Sequence, residues 1–111
     1  MTRGRRYKVE LAEDAERDIE DIYRYIAAQE STARADAVLR ELEAAYERLA
    51  GLPDRGNVPK EMTGVGLSEF REVHIGPYRM IYRVAGRNVI VDCVFDGRRD
   101  VQSLLQRRLL R

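Results

Sequence analysis

A short alternating segment near the start of the chain gives way to a helical pattern. Tyr7, Val9 and Leu11 share one face of residues 7–11, which predicts a short strand. From residue 13 the apolar positions recur every three or four residues, which predicts a helix over Glu13–Gln29. Its apolar stripe consists of Ala15, Ile19, Ile22, Tyr23 and Ile26. Acidic residues crowd its first turn, where they favour the positive end of the helix dipole.

A second helix follows almost at once. Ser31 is a suitable N-cap, and Gly51 and Pro53 end the helical pattern. The apolar stripe of this helix consists of Ala35, Val38, Leu39, Leu42, Ala45, Tyr46 and Leu49. Because the break between the two helices is about two residues long, we expect an antiparallel helical hairpin.

The second half of the chain has the pattern of a meander. Residues 51–68 hold four glycines and two prolines and predict a surface loop. Three strands are predicted after it, over Phe70–Ile75, Tyr78–Val84 and Asn88–Phe95. The last of these is almost entirely apolar, which is typical of a central strand. Asp100 can then cap a C-terminal helix that runs to Arg111.

The predicted order is β-α-α-β-β-β-α, in one domain over residues 1–111. We therefore predict an α+β fold, with a helical hairpin packed on a mostly antiparallel sheet and a C-terminal helix. The pattern does not identify the strand that pairs with residues 7–11.

Composition excludes several classes of protein. No apolar run approaches the ~20 residues that a membrane-spanning helix requires. One cysteine and one histidine cannot supply a structural zinc site, which takes about four such ligands. A lone Cys93 cannot form an internal disulfide, and its apolar strand predicts a core residue. No metal or cofactor is expected.

The formal net charge of +1 conceals an uneven distribution. Residues 13–50 carry five basic and eleven acidic residues, whereas residues 65–111 carry nine basic and five acidic residues. An acidic hairpin thus stands beside a basic sheet and C-terminal helix, which suits a partner that recognises the basic side.

Two groups of side chains are candidates for chemistry. Glu72 and His74 stand two residues apart on one strand and share a face, as an acid and a base would. The alternative is that both lie on a solvated face of the sheet. A set of arginines is the second group: Arg71, Arg79 and Arg83 stand on the sheet, and Arg98 and Arg99 follow its last strand. If the meander pairs as predicted, Arg79 and Arg99 are expected to approach one face. Such arginines bind phosphates or acidic peptides, or form local ion pairs with Glu72, Asp92, Asp96 and Asp100.

The chain resembles the RelE/ParE toxins of bacterial toxin–antitoxin pairs. The resemblance rests on Tyr78-Arg-Met-Ile-Tyr-Arg-Val84, the apolar strand after it, Asp96-Gly-Arg-Arg-Asp100 and Leu104-Leu-Gln-Arg-Arg-Leu-Leu110. The segments Val9–Ala15, Asp18–Ile26 and Arg48–Pro53 resemble the opening of this family. Together these segments cover about residues 7–110, in family order.

The resemblance implies a small cytoplasmic toxin that an antitoxin neutralises. RelE-like members cut messenger RNA in the ribosomal A site, whereas ParE-like members inhibit DNA gyrase. Arg79 and Arg99 match two arginines of the RelE-like nucleases. Glu72 and His74 occupy the places of a basic pair, however, and Leu105 lies where a late aromatic residue is usual. The ending of the chain is similar to ParE.

We therefore expect a ParE-like inhibitor that binds gyrase without catalysis and has a ParD-like, ribbon-helix-helix antitoxin. The alternatives are a RelE-like nuclease and a non-toxic homologue that acts as co-repressor or scaffold. The nuclease would use Glu72, His74, Arg79 and Arg99. The residues expected to contact gyrase are Arg98, Arg99, Arg107 and Arg108. The residues expected to contact the antitoxin's acidic C-terminal segment are Tyr23, Tyr46, Arg79, Tyr82, Arg83 and Arg99.

Overall fold

A computed structural model describes residues 6–63 and 69–109. The elements follow the predicted order, the first helix has the predicted bounds, and each strand agrees with its predicted bounds to within one residue. They are β1 (Lys8–Leu11), α1 (Glu13–Gln29), α2 (Thr32–Arg48), a 3-10 turn (Lys60–Met62), β2 (Phe70–Ile75), β3 (Tyr78–Ala85), β4 (Asn88–Asp96) and α3 (Val101–Leu109). Leu110 and Arg111, the predicted end of the last helix, lie outside the described residues. None of the described helices has the length and apolar character needed to cross a bilayer.

The four strands form one sheet in the order β1-β4-β3-β2. Strands β2, β3 and β4 form the predicted antiparallel meander. Strand β1 pairs with β4 in parallel, with Val9 opposite Val89. The parallel pairing places β1 beside β4, which confirms β4 as a central strand.

The helical hairpin covers one face of the sheet. The Ser31 hydroxyl accepts a hydrogen bond from the Arg34 backbone N–H at 3.0 Å, which is the predicted cap of α2. The buried residues of the two helices pack against this face of the sheet and form with it the main core. The sheet residues of this core are Met80, Tyr82, Val89, Val91 and Val94.

A β-bulge determines which residues of β4 face each of two cores. Ile81 pairs with Cys93 but Tyr82 pairs with Val91, so Asp92 is an extra residue in β4. This insertion changes the alternation of the strand, and Cys93 and Phe95 point to the face opposite the hairpin. There they pack with Ile81 and α3 in a second core, together with Met62, Phe70, Val101, Leu104 and Leu105. The prediction that Cys93 is a core residue is confirmed.

Asp18 of α1 joins both cores at the edge of β4. The pairing of β1 ends at Val91, so the Val94 N–H beyond it has no partner strand on that side. The Asp18 carboxylate accepts a hydrogen bond from this N–H at 3.0 Å. The same carboxylate forms an ion pair with Arg108 of α3. One side chain therefore fixes α1, β4 and α3 relative to one another.

The loop before the 3-10 turn lies close against β2 at Gly56. A Cβ atom on Gly56 would stand 2.2 Å from the Glu72 carbonyl oxygen. We expect Gly56→Ala to lower the free energy of unfolding by about 1–3 kcal/mol, because the backbone of β2 must shift. Urea denaturation measures this loss. Gly51→Ala is the control, since its Cβ would meet only a flexible Arg6 side-chain atom at 3.5 Å. Equal effects of the two changes would contradict the prediction.

Candidate functional site

The sheet face opposite the hairpin carries two adjoining clefts of about 530 and 400 Å3. Lys60, Arg79 and Gly97 line both of them. The strand register places His74 opposite Arg79. The structure thus brings together all four residues of the nuclease alternative: Glu72, His74, Arg79 and Arg99.

Arg79 separates the two clefts, and two carboxylates surround its guanidinium group. The Nε atom donates to Glu72 at 2.6 Å. The Nη1 and Nη2 atoms donate to the two carboxylate oxygens of Glu61 at 2.9 and 2.8 Å. The side chain is 8% exposed, and its stem packs on Gly97, where a Cβ would stand 2.9 Å from the Arg79 Cδ atom. A paired, bidentate arginine of this kind is a strong contact.

These contacts change the pKa of both partners. The hydrogen bonds from Arg79 hold the pKa of the Glu61 carboxyl below its ordinary value, against an opposing effect of burial. The hydrogen bonds to Glu61 and Glu72 raise the pKa of Arg79. The Glu61–Arg79 pair therefore stays charged across the physiological range, and Arg79 has no free N–H fork for an outside anion.

Glu72 and His74 meet as predicted but differ in environment. The His74 Nε2 atom lies 3.5 Å from Glu72 Oε2. Glu72 is buried, and Asn57 donates to its carboxylate at 3.3 Å. The idea that both side chains lie on a solvated face is wrong for Glu72, because the 51–63 loop and Arg79 cover it. His74 is exposed.

Local ion pairs engage most of the other arginines. The Arg83 Nε atom donates to Asp92 at 3.2 Å, and burial raises the Asp92 pKa in spite of that contact. Arg98 hydrogen-bonds Asp96, whose pKa falls to about 2. Arg99 and Arg107 are exposed, and neither forms an ion pair within residues 6–63 and 69–109. The predicted cap of α3 is confirmed, since Asp100 accepts from the Ser103 N–H at 3.2 Å.

Three residues expected at partner surfaces are engaged inside the protein. Tyr82 is fully buried, and its hydroxyl donates to the Pro53 carbonyl at 2.8 Å and accepts from the Gly56 N–H at 3.0 Å. The expectation of an exposed Tyr82 is therefore wrong, because the 51–63 loop covers it. Arg79 is closed off by its carboxylates in the same way. Arg108, expected at the gyrase surface, is held by Asp18.

Tyr23 and Tyr46, which were also expected to contact the antitoxin, are partly accessible. The Tyr23 hydroxyl donates to Asp36 at 2.7 Å, and this hydrogen bond is the main cause of its raised pKa. Tyr46 is half-buried between the two helices of the hairpin. Glu61 could not be identified from the sequence, because a residue in an irregular loop has no periodicity that could place it against Arg79.

The sequence matches a known protein family. Residues 9–101 match the family model for the ParE toxin of type II toxin-antitoxin systems, parDE. A protein of Caulobacter vibrioides named Toxin ParE3 is 24% identical over 91 residues, which cover 82% of this chain and 87% of that protein.

Solved structures share the fold. A chain of the chromosomal ParDE system from P. aeruginosa has a TM-score of 0.69 at 14% identity and covers 84% of this chain and 98% of its own length. A chain of the toxin–antitoxin complex RelBE2 from Mycobacterium tuberculosis has a TM-score of 0.57 at 23% identity, with coverages of 82% and 91%. A mutant of the E. coli toxin RelE in the free state has a TM-score of 0.57 at 14% identity, with coverages of 95% and 96%.

The Glu61–Arg79 pair predicts a link between pH and stability. We expect Glu61→Gln to lower the free energy of unfolding at pH 7 by about 1–3 kcal/mol, because Arg79 loses a charged partner. Since folding lowers the Glu61 pKa from its ordinary 4.5, its contribution is complete above pH 4.5 and is lost as the pH falls through the folded-state value. Thermal unfolding from pH 7 to pH 3 should therefore show the two proteins converging.

The control for this experiment is Glu30→Gln, which removes an exposed carboxylate 3.9 Å from Arg34. Its effect should stay within about 0.5 kcal/mol. A difference between Glu61→Gln and the parent protein that does not depend on pH would contradict the predicted linkage.

Cys93 provides a probe for the docking of α3. Burial raises the pKa of its thiol to about 12, so we expect negligible reaction with a thiol reagent at pH 8 in the native protein. Arg108→Gln removes the ion pair with Asp18 and should raise the labelling rate roughly tenfold, since local opening uncovers the thiol. Arg107→Gln is the matched control and should leave the rate unchanged. Equal rates in all three proteins would show that the Asp18 contact does not hold α3.

Proposed function

The chain belongs to the ParE toxin family of type II toxin-antitoxin systems, and on that premise we propose that it inhibits DNA gyrase by binding, without cleaving nucleic acid. A ParD-like antitoxin of the ribbon-helix-helix type neutralises it. The observation that supports this proposal is the state of Arg79, whose guanidinium nitrogens already face carboxylates of the same chain.

Ribonuclease chemistry needs a free positive charge at the reacting phosphate. Cleavage by an internal 2′-hydroxyl builds charge on a phosphorane, and a cation must stabilise that charge. At Arg79 the Glu61 carboxylate stands where the phosphorane would bind. Glu72 accepts from Arg79 and Asn57, so its oxygens are engaged and do not form a free general base. These contacts argue against catalysis at this cleft.

The arginines around α3 support a binding function. Arg99 precedes the helix and Arg107 lies in its last turn, and both side chains are exposed. Arginine is enriched among the residues that dominate protein interfaces. Within the proposed gyrase surface, Arg99 and Arg107 make the contacts. Arg98 also belongs to this surface but forms an ion pair with Asp96. Arg108 positions the helix through its ion pair with Asp18.

The nuclease remains the second candidate, because all four of its residues line the adjoining clefts. His74 separates the two proposals. It is exposed and close to Glu72, so its removal should cost little stability, whereas a nuclease that uses it as acid or base would lose about 100-fold or more in rate. The third candidate, a non-toxic homologue, predicts no growth arrest at all.

The test is induction of the chain without its antitoxin, followed by gyrase supercoiling and messenger-cleavage assays. Removing α3 would uncover Cys93 and Phe95, so we choose Arg99→Glu with Arg107→Glu instead of truncation. We expect growth arrest and gyrase inhibition by the parent chain, at least about tenfold weaker inhibition by this double variant, and full toxicity of His74→Ala. Arg40→Glu with Arg55→Glu is the control, since both side chains are exposed elsewhere.

Other outcomes reject the proposal in distinct ways. Messenger cleavage in the ribosomal A site that His74→Ala abolishes would establish the nuclease. A folded protein that does not arrest growth would establish the co-repressor or scaffold. Gyrase inhibition that survives in the double variant would move the target surface away from α3.

A further inference from the structure

A cleft of about 470 Å3 lies beside the end of α2, where the chain enters β1. The Tyr7 N–H donates to the Ala50 carbonyl at 2.7 Å, which holds the start of the chain against the turn after α2. The lining of the cleft consists of Arg6, Ala44, Glu47, Arg48, Gly51 and Leu52. It shares no residue with the clefts at Arg79 or with α3, so it is a separate surface.

Three arginines meet at this edge of the molecule. Arg6 and Arg48 line the cleft. The Arg87 guanidinium lies over the Tyr7 ring at 5.3 Å from its centroid, and the Arg87 carbonyl accepts from the Lys8 N–H at 3.0 Å. Arg87 therefore adjoins the residue that follows Arg6. All three arginines are exposed, and together they form the arginine edge.

The protein does not compensate the charge of the arginine edge. None of its three members forms an ion pair within residues 6–63 and 69–109. The exposed arginines of the hairpin differ, because Arg17, Arg24 and Arg34 each lie within 4.0 Å of a carboxylate one turn away. Glu47 is the one acidic residue in the lining of the cleft. The cleft and its edge therefore keep an excess of positive charge for an anionic partner.

An apolar side chain stands in solvent among these cations. Leu52 lines the cleft and is 55% exposed. Its N–H donates to the Arg48 carbonyl at 3.2 Å, so the turn after α2 fixes its backbone. Arginine for the phosphates and leucine for the sugars and bases is a combination found in proteins that bind the minor groove of DNA.

We propose that the arginine edge binds the phosphate backbone of the duplex DNA on which gyrase acts. Arg6, Arg48 and Arg87 pair with phosphates, and Leu52 packs against the adjoining sugars. The proposal rests on the proposed function only for the source of the DNA. Because the net charge of the whole chain is +1, this contact is local and adds to the protein contacts of α3.

The first test measures binding of the full chain to a fluorescently labelled DNA duplex by anisotropy, between 50 and 200 mM salt. Three phosphate contacts predict a roughly 40-fold loss of affinity over this range. The edge variant is Arg6→Gln with Arg48→Gln and Arg87→Gln. We expect it to bind at least about tenfold more weakly at 50 mM salt, with a flatter dependence on salt.

The matched control is Arg17→Gln with Arg24→Gln and Arg34→Gln. It removes the same charge from exposed positions that already have carboxylate partners. Its affinity for the duplex should stay within about threefold of the parent value. Thermal unfolding checks that both triple variants are folded.

A photo-crosslinker tests the contact during the gyrase reaction. Since Cys93 is buried, a benzophenone maleimide labels a cysteine introduced at an exposed position. Leu52→Cys with this label should crosslink to DNA when gyrase and DNA are both present. Ala28→Cys is the control, because it is exposed at the opposite end of the hairpin and should give no crosslink to DNA.

The contrary results separate this inference from the proposed function. Binding of the duplex by the edge variant at the parent level overturns the inference. Crosslinks from position 52 to a gyrase subunit and not to DNA assign the cleft to an acidic protein surface and also overturn it. Gyrase inhibition by a parent chain that gives no crosslink to DNA overturns the inference and leaves the proposed function intact. A parent chain that binds the duplex as expected but does not inhibit gyrase rejects the proposed function and supports the DNA contact.

Discussion

The bulge at Asp92 is the constraint on which the two-sided architecture depends. In a regular strand Val91, Cys93 and Phe95 would share one face, and Asp92 and Val94 would point to the other. The extra residue sends Val91 to the hairpin side and Cys93 and Phe95 to the α3 side. Cys93 and Phe95 then pack against α3 in the second core, where Asp92 and Val94 would otherwise point. Asp92 itself is held by Arg83, so the irregularity does not leave a buried carboxylate without a partner.

The Arg79 cluster lies on the same face of the sheet as α3. With α3 over one part of it and the 51–63 loop over another, Arg79 is enclosed and needs partners for its charge. Glu72 comes from the adjacent strand and Glu61 from the 3-10 turn. Removal of one partner from such a group is more costly than the net contribution of the pair, since it leaves a buried charge unsatisfied. The carboxylates that stabilise this face also bind the Arg79 guanidinium, which cleavage of a phosphodiester at this cleft would need as a free cation.

Local patterns in the sequence predicted the helices and strands, whereas strand pairing and loop packing depend on contacts between residues distant in the sequence. The hairpin, the cap at Ser31 and the strand over Phe70–Ile75 follow from periodicity and turn residues, which act over a few positions. The parallel pairing of β1 with β4 joins residues about eighty positions apart, and no local pattern encodes it. For the same reason no local pattern shows that residues 53–56 cover Tyr82. At the site the pair of Glu72 and His74 was visible from their spacing, whereas Glu61 was not.

Accessible charge differs from formal charge in this protein. Residues 65–111 appear strongly basic in the sequence, yet most of their arginines are engaged within the chain. Arg71 donates to backbone carbonyls, and carboxylates pair with Arg79, Arg83, Arg98 and Arg108. Arg87 lies over the Tyr7 ring at 5.3 Å. Among the described residues of this half, Arg99 and Arg107, both beside α3, are the exposed cations that have neither an ion pair nor a ring contact. These two cations lie at the two ends of one helix, while the hairpin keeps most of its carboxylates in solvent. The two surfaces therefore present opposite charge.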